Sequence, residues 1–103
     1  MSDCIDVKLG SNVEVLLNCD LVASKTKEVD EKLMELIYAQ KPSYFIVDMK
    51  HVEMVDSSGI GLLLELHNFL KDSKCKMTVI NISDDIHDLF LRMRIDTHIT
   101  LNP

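Results

Sequence analysis

Apolar residues along this chain recur with two periods, and the switches between the periods mark the elements. Cys4–Leu9 and Val13–Leu17 alternate or run apolar, and Gly10-Ser11-Asn12 between them suits a tight reversal, which predicts a hairpin. From Ser24 the spacing lengthens. Val29, Leu33, Leu36 and Ile37 repeat at helical intervals while Lys25, Glu28, Lys32 and Glu35 turn to water, predicting a helix capped by Ser24 and running through Gln40. Pro42-Ser43 breaks it, and Tyr44–Val47 reads as a strand buried on both faces that ends at Asp48. A second helix is predicted over roughly Ser58–Lys71, a strand over Met77–Ile80, and a short final strand near His98–Leu101. Between these last two strands, Ser83-Asp84-Asp85 starts a third helix, with a capping hydroxyl and carboxylates on the positive end of its dipole. Its apolar stripe is Ile86, Leu89, Phe90 and Met93.

The resulting order, β-β-α-β-α-β-α-β, predicts an α/β fold: a mixed, mostly parallel sheet with an N-terminal antiparallel hairpin and about three packed helices. At 103 residues and 47% hydrophobic content, the chain reads as one domain, 1–103, able to bury a substantial core.

Composition then narrows the chemistry. The longest apolar stretch, Ile60–Leu66, is interrupted by Gly61 and Glu65, far short of the roughly 20 residues of a spanning helix, so no membrane insertion and a cytoplasmic location are expected. A formal charge of −6 disfavours phosphate-backbone contacts, leaving protein rather than nucleic acid as the expected partner. Cys4, Cys19 and Cys75 are odd in number and widely spaced, and His51, His67, His87 and His98 lack ligand spacing, so neither a disulfide framework nor a metal is expected. The methionines read as core filler.

The remaining feature is Val55–Gly61, VDSSGIG, which follows a strand and opens a helix. It lacks the Gly-x-Ser-x-Gly elbow of a hydrolase, and the glycine-lysine pattern of a phosphate-binding loop, so neither an enzyme nor a cofactor is expected. Ser57 or Ser58 can serve as N-cap, and Asp56 favours the helix dipole. Gly59 and Gly61 in a first turn cost helix stability, which implies that something approaches the backbone closely there. Leu62, Leu63, Leu64, Leu66, Phe69 and Leu70 spread around more than one helix face, so part of that surface is expected to stay open for a partner.

Tyr44–Lys71 (YFIVDMKHVEMVDSSGIGLLLELHNFLK) resembles the signature region of STAS domains, and among them bacterial anti-sigma factor antagonists. The family pattern is a strand ending in Asp or Asn, then Asp-Ser-(Ser/Thr/Ala)-Gly-(Leu/Ile)-Gly and an apolar helix. Asp48, Asp56, Ser57, Ser58, Gly59, Ile60 and Gly61 match it, and Met77–Phe90 is similar to the strand and helix that follow. The resemblance implies a STAS fold and a phosphorylation-controlled partner switch with Ser57 as phosphoacceptor. Unphosphorylated protein would bind an anti-sigma factor that is also a serine kinase, releasing a sigma factor. Phosphorylation would end binding and a serine phosphatase would restore it. The implied partner surface comprises Asp20, Asp48, Asp56, Ser57, Ser58, Gly59, Ile60 and Gly61. Asn18–Val22, which contains Asp20, departs from the family's Gly-x-Leu-Asp, and the chain ends at Pro103 before the C-terminal helix common in the family. The alternative implied role is a constitutive STAS interaction module in another signalling or transport complex, with Ser57 only a helix cap.

Overall fold

The turn at Gly10–Asn12 folds β1 (Ile5–Leu9) back on β2 (Val13–Leu17), pairing Ile5 with Leu17 through Leu9 with Val13 in antiparallel register. The computed structural model describes residues 4–103. After the hairpin come α1 (Ala23–Gln40), β3 (Tyr44–Asp48), α2 (Ser57–Asp72), β4 (Lys76–Ile80), α3 (Asp84–Arg92), a 3-10 turn at Ile95–Thr97 and β5 (Thr100–Asn102). The strands lie in the order β1-β2-β3-β4-β5, and every pairing after the hairpin is parallel. The sequence pattern therefore anticipated the elements and their mixed sheet.

Sequential parallel strands joined by crossovers of the usual right hand carry their connecting helices on one side. The burial pattern agrees: Val15, Val47 and Val79, aligned across β2, β3 and β4, are all fully buried. The opposite face is only partly covered, with Leu16, Tyr44 and Ile46 half-buried. Thus β3 is not buried on both faces as its apolar run suggested, because no helix crosses to the second face.

Two helix details also differ from expectation. Ser24 lies inside α1 rather than at its cap; Val22 occupies the cap position and offers no side-chain hydrogen bond. The apolar surplus of α2 does not form an open contact surface. This helix packs against both α1 and β4, so Leu62, Leu63, Leu66 and Leu70 are all buried, with Leu64 and Phe69 half-buried. A helix wedged between a sheet and another helix needs apolar residues around more than one face. The exposed face of α1 carries Glu28 and Lys32, 3.9 Å apart.

At the far side, the Ser83 hydroxyl accepts a hydrogen bond from the Ile86 N–H at 3.4 Å, and Asp84 and Asp85 occupy the first turn of α3, as the sequence indicated. Ile86 and Phe90 enter the core, whereas Met93 is exposed. The last strand begins later than expected because His98 closes the 3-10 turn on the Ile95 carbonyl. The thiols of Cys4, Cys19 and Cys75 are free. Burial, aided by the Cys19 and Glu28 side chains, pushes the Cys4 thiol up to about 12.

Phe90 is fully buried and Leu91 is 44% exposed. Phe90→Ala is expected to lower unfolding free energy by about 3–5 kcal/mol, and Leu91→Ser to change it by less than about 0.5 kcal/mol, both measured by urea denaturation.

Candidate functional site

The loop leaving β3 is fixed by a second segment, Asp20–Ala23, that runs alongside it. Asp20 Oδ1 accepts hydrogen bonds from the Glu53 N–H at 2.9 Å and the Met54 N–H at 3.2 Å. The Leu21 N–H donates to the Met54 carbonyl at 3.0 Å, and the Asp56 N–H donates to the Leu21 carbonyl at 3.1 Å. Leu21 and Val55 thereby form an isolated parallel bridge. A loop that would otherwise be mobile is held by backbone bonds as a strand would be.

Asp56 closes this arrangement. Its extended backbone makes it the N-cap of α2, with Oδ1 accepting from the Ser58 N–H at 2.9 Å and the Gly59 N–H at 3.1 Å. Its other oxygen, Oδ2, accepts from the Ala23 N–H at 2.9 Å, the first helical amide of α1. One carboxylate thus satisfies N-terminal amides of two helices and faces the positive ends of two dipoles. The bonds from Ala23 and Gly59, then Ser58, hold its carboxyl below the ordinary 3.8.

Gly59 follows from the same geometry. A Cβ on this residue would collide with the Leu21 carbonyl oxygen and lie 2.7 Å from Leu21 Cβ and 2.9 Å from Val55 Cγ1. Gly61 does not share this role: a Cβ there would meet no atom within 4 Å. It borders a groove between α1 and α2 of about 340 Å³, also lined by Thr26, Lys27, Asp30, Ser58 and Glu65.

The sequence-predicted site residues therefore divide into two sets. Ser57 and Ser58 are exposed on the first turn of α2. Neither is the cap, which is Asp56; the two serines follow it in the chain and so occupy helical positions. The Ser57 hydroxyl makes no hydrogen bond among the described residues. By contrast, Asp48 and Ile60 are each 6% exposed, and Gly59 is buried, so these three offer a partner almost no surface. Asp48 Oδ1 instead accepts from the Lys50 N–H at 3.0 Å and Asn81 Nδ2 at 3.1 Å, tying the ends of β3 and β4 together. Asp20 and Asp56 are half-buried and act chiefly on backbone amides.

Sequence reasoning missed Met54. It is 61% exposed two residues before Asp56, so it is not core filler but an apolar group presented beside the serines. Its only sequence signal was an isolated apolar side chain next to Glu53 in a loop. The α1 side of the groove was also missed, because adjacency of two helices leaves no trace in either one's periodicity. His51 is exposed and hydrogen-bonds to neither serine.

The family model for the STAS domain matches residues 7–103. The chain belongs to the STAS domain family. Solved structures similar to this STAS domain include a candidate anti-sigma factor antagonist from Thermotoga maritima, 11% identical, with a TM-score of 0.89, over 96% of this chain and 86% of that one. The phosphorylated form of SpoIIAA, a Bacillus cell fate determinant, is 17% identical with a TM-score of 0.71 over 96% and 91%. A Moorella thermoacetica RsbS with a serine-to-glutamate substitution is 14% identical with a TM-score of 0.78 over 96% and 86%. At these identities the likeness is one of fold. No helix among the described residues is long and apolar enough to cross a membrane.

Two substitutions separate the glycines. Gly59→Ala should destabilise by about 1–3 kcal/mol or more through overpacking, whereas Gly61→Ala should stabilise by about 0.5–1 kcal/mol through helix propensity; chemical denaturation of both variants measures the contrast. Asp56→Asn should lower the melting temperature at neutral pH because an amide cannot accept all three backbone bonds. Since the folded carboxyl titrates below the unfolded one, Asp56 contributes fully above the unfolded pKa and loses that contribution as pH falls through the folded pKa. The difference between wild type and Asp56→Asn in thermal scans should therefore shrink as pH is lowered below about 4.

Proposed function

We propose that this STAS domain is an anti-sigma factor antagonist acting as a partner switch, with Ser57 as phosphoacceptor. The unmodified form binds an anti-sigma factor that is also a serine kinase and so releases a sigma factor; a serine phosphatase reverses the modification. The observation that carries this reading is the placement of Ser57: exposed, its hydroxyl unengaged, at the first position of a helix whose start is held by Asp56 rather than by the serine. A kinase can reach such a hydroxyl without unfolding the domain. The solved relatives, which include a phosphorylated SpoIIAA on the same fold, support the same direction.

The electrostatics favour a change in binding rather than in fold. A phosphate adds about −1.5 to −2 charges and three acceptor oxygens. The nearest helix amides, those of Ser58 and Gly59, are already bonded to Asp56, so the new group gains no donor from them. It lies beside a carboxylate and must remain in water. A partner closing over Ser57 and the exposed Met54 would have to desolvate it against like charge. As Asp56 already caps α2, a role for Ser57 as a cap alone loses its physical motive.

The test combines site-resolved mass spectrometry of protein from its native cells with binding to the anti-sigma factor recovered on the unmodified form. Phosphate is expected on Ser57 and absent from Ser57→Ala, which should still bind; Ser57→Asp should bind at least about tenfold more weakly, about 1.4 kcal/mol. Phosphate that persists on Ser57→Ala at equal stoichiometry would overturn the assignment, and an unmodified Ser57 in every condition would point to a constitutive interaction module.

A further inference from the structure

The end of the sheet opposite Ser57, where β3, β4 and β5 begin, opens into a cleft of about 690 Å³. That volume lies within the usual range of small-molecule sites, roughly 300–1,000 Å³. The cleft exists because β5 pairs with β4 only from Thr78 onward, leaving the outer edge of β4 at Lys76 and Met77 without a strand beside it. Lys71 enters from the last turn of α2, Lys74 from the following turn, Lys76 from β4, and His67 and His98 face the same space. Among the described residues no carboxylate lines it, although the chain has 17 acidic residues against 11 Lys and Arg. Three lysines with no facing carboxylate among the described residues make a local inversion of charge in an acidic protein.

We propose that this cleft binds a small phosphate-bearing anion. Lysines serve phosphate as point charges, whereas a planar carboxylate is better matched by the fork of an arginine, and among the described residues no arginine lines the cleft. Hydroxyls complement the cations. Thr78 and Thr100 sit opposite each other in register, and Tyr44 Oη lies 2.7 Å from Thr78 Oγ1, a bond that leaves one hydroxyl proton of the pair to donate.

Lys74 sits at φ 59°, in the left-handed region where a helix exit normally places glycine, as Lys41 and Arg94 do outside the cleft, so glycine should be tolerated at this position. The His67 imidazole is held below its ordinary 6.5 by burial, then by Lys71 and His98. Lys74, Lys76, Tyr44 and Cys75 complete the titratable groups around it. An anion seated among them should bring the His67 pKa back up, and binding should tighten as pH falls and His67 charges.

Pyrophosphate titrated into the full chain, followed by NMR, tests this at a site remote from Ser57. Saturable shifts at His67, Thr78 and Thr100 are expected, with an upward shift in the His67 titration and affinity that falls with added salt. Lys74→Gly should raise the melting midpoint by about 5 °C while weakening pyrophosphate binding several-fold, and the double variant Lys71→Ala, Lys76→Ala should weaken it at least about tenfold. Absence of saturable shifts at millimolar pyrophosphate, or binding unaltered by both variants, would overturn the proposal. Because Lys74→Gly is expected to be more stable than wild type, its loss of binding cannot be confused with loss of fold.

Discussion

Two helices of this domain begin at one carboxylate, and the geometry of the site depends on it. Asp56 accepts from the amides of Ser58 and Gly59 at the start of α2 and from that of Ala23, 33 positions before it, at the start of α1. An N-cap ordinarily satisfies its own helix. Here α1 has no cap of its own, since Val22 provides no side-chain acceptor, and it borrows the second oxygen of a residue from another element. The two helix starts must therefore meet side by side, which forces the backbones at Leu21 and Gly59 so close that no Cβ fits between them. The cap and the glycine are two consequences of a single approach.

The same constraint separates support from display. Asp20 and Asp48 spend their oxygens on backbone and Asn81 donors, and Gly59 and Ile60 are packed inward. What remains outward includes Ser57, Ser58, the Glu53 and Met54 side chains and the open groove beside Gly61. A site supported by so many fixed hydrogen bonds can accept a change at its surface without transmitting it to the core. In the proposed switch, that rigidity makes a phosphate visible to a partner while the domain beneath keeps its shape.

Charge is distributed unevenly along the sheet. Asp48, Asp56 and the loop carboxylates of Asp20 and Glu53 gather at the Ser57 end, while Lys71, Lys74 and Lys76 gather where the parallel strands begin. In parallel α/β architecture the two ends of the sheet are chemically distinct because each presents only one kind of helix terminus. Acidic residues near helix starts and basic residues near helix ends both complement the dipoles. That general preference accounts for the Asp56 cap and for Lys71 in the last turn of α2.

Periodicity alone determined the elements, their order and the antiparallel start of a mixed sheet, because burying one face of a strand or helix writes a regular pattern into adjacent residues. VDSSGIG likewise announced a helix start, through local rules of capping and glycine use. Tertiary structure alone decided which carboxylate capped which helix: the sequence left Ser24, Ser57 and Ser58 as candidates, and Asp56 took both starts because α1 and α2 converge on it. It also decided that Gly59 is packed and Gly61 is open, though the two stand two residues apart in one motif. The surplus leucines of α2 proved to be covered by α1, and Met54 proved to be exposed. Each of these depends on contacts between segments distant in the chain, and such contacts impose no period on either segment.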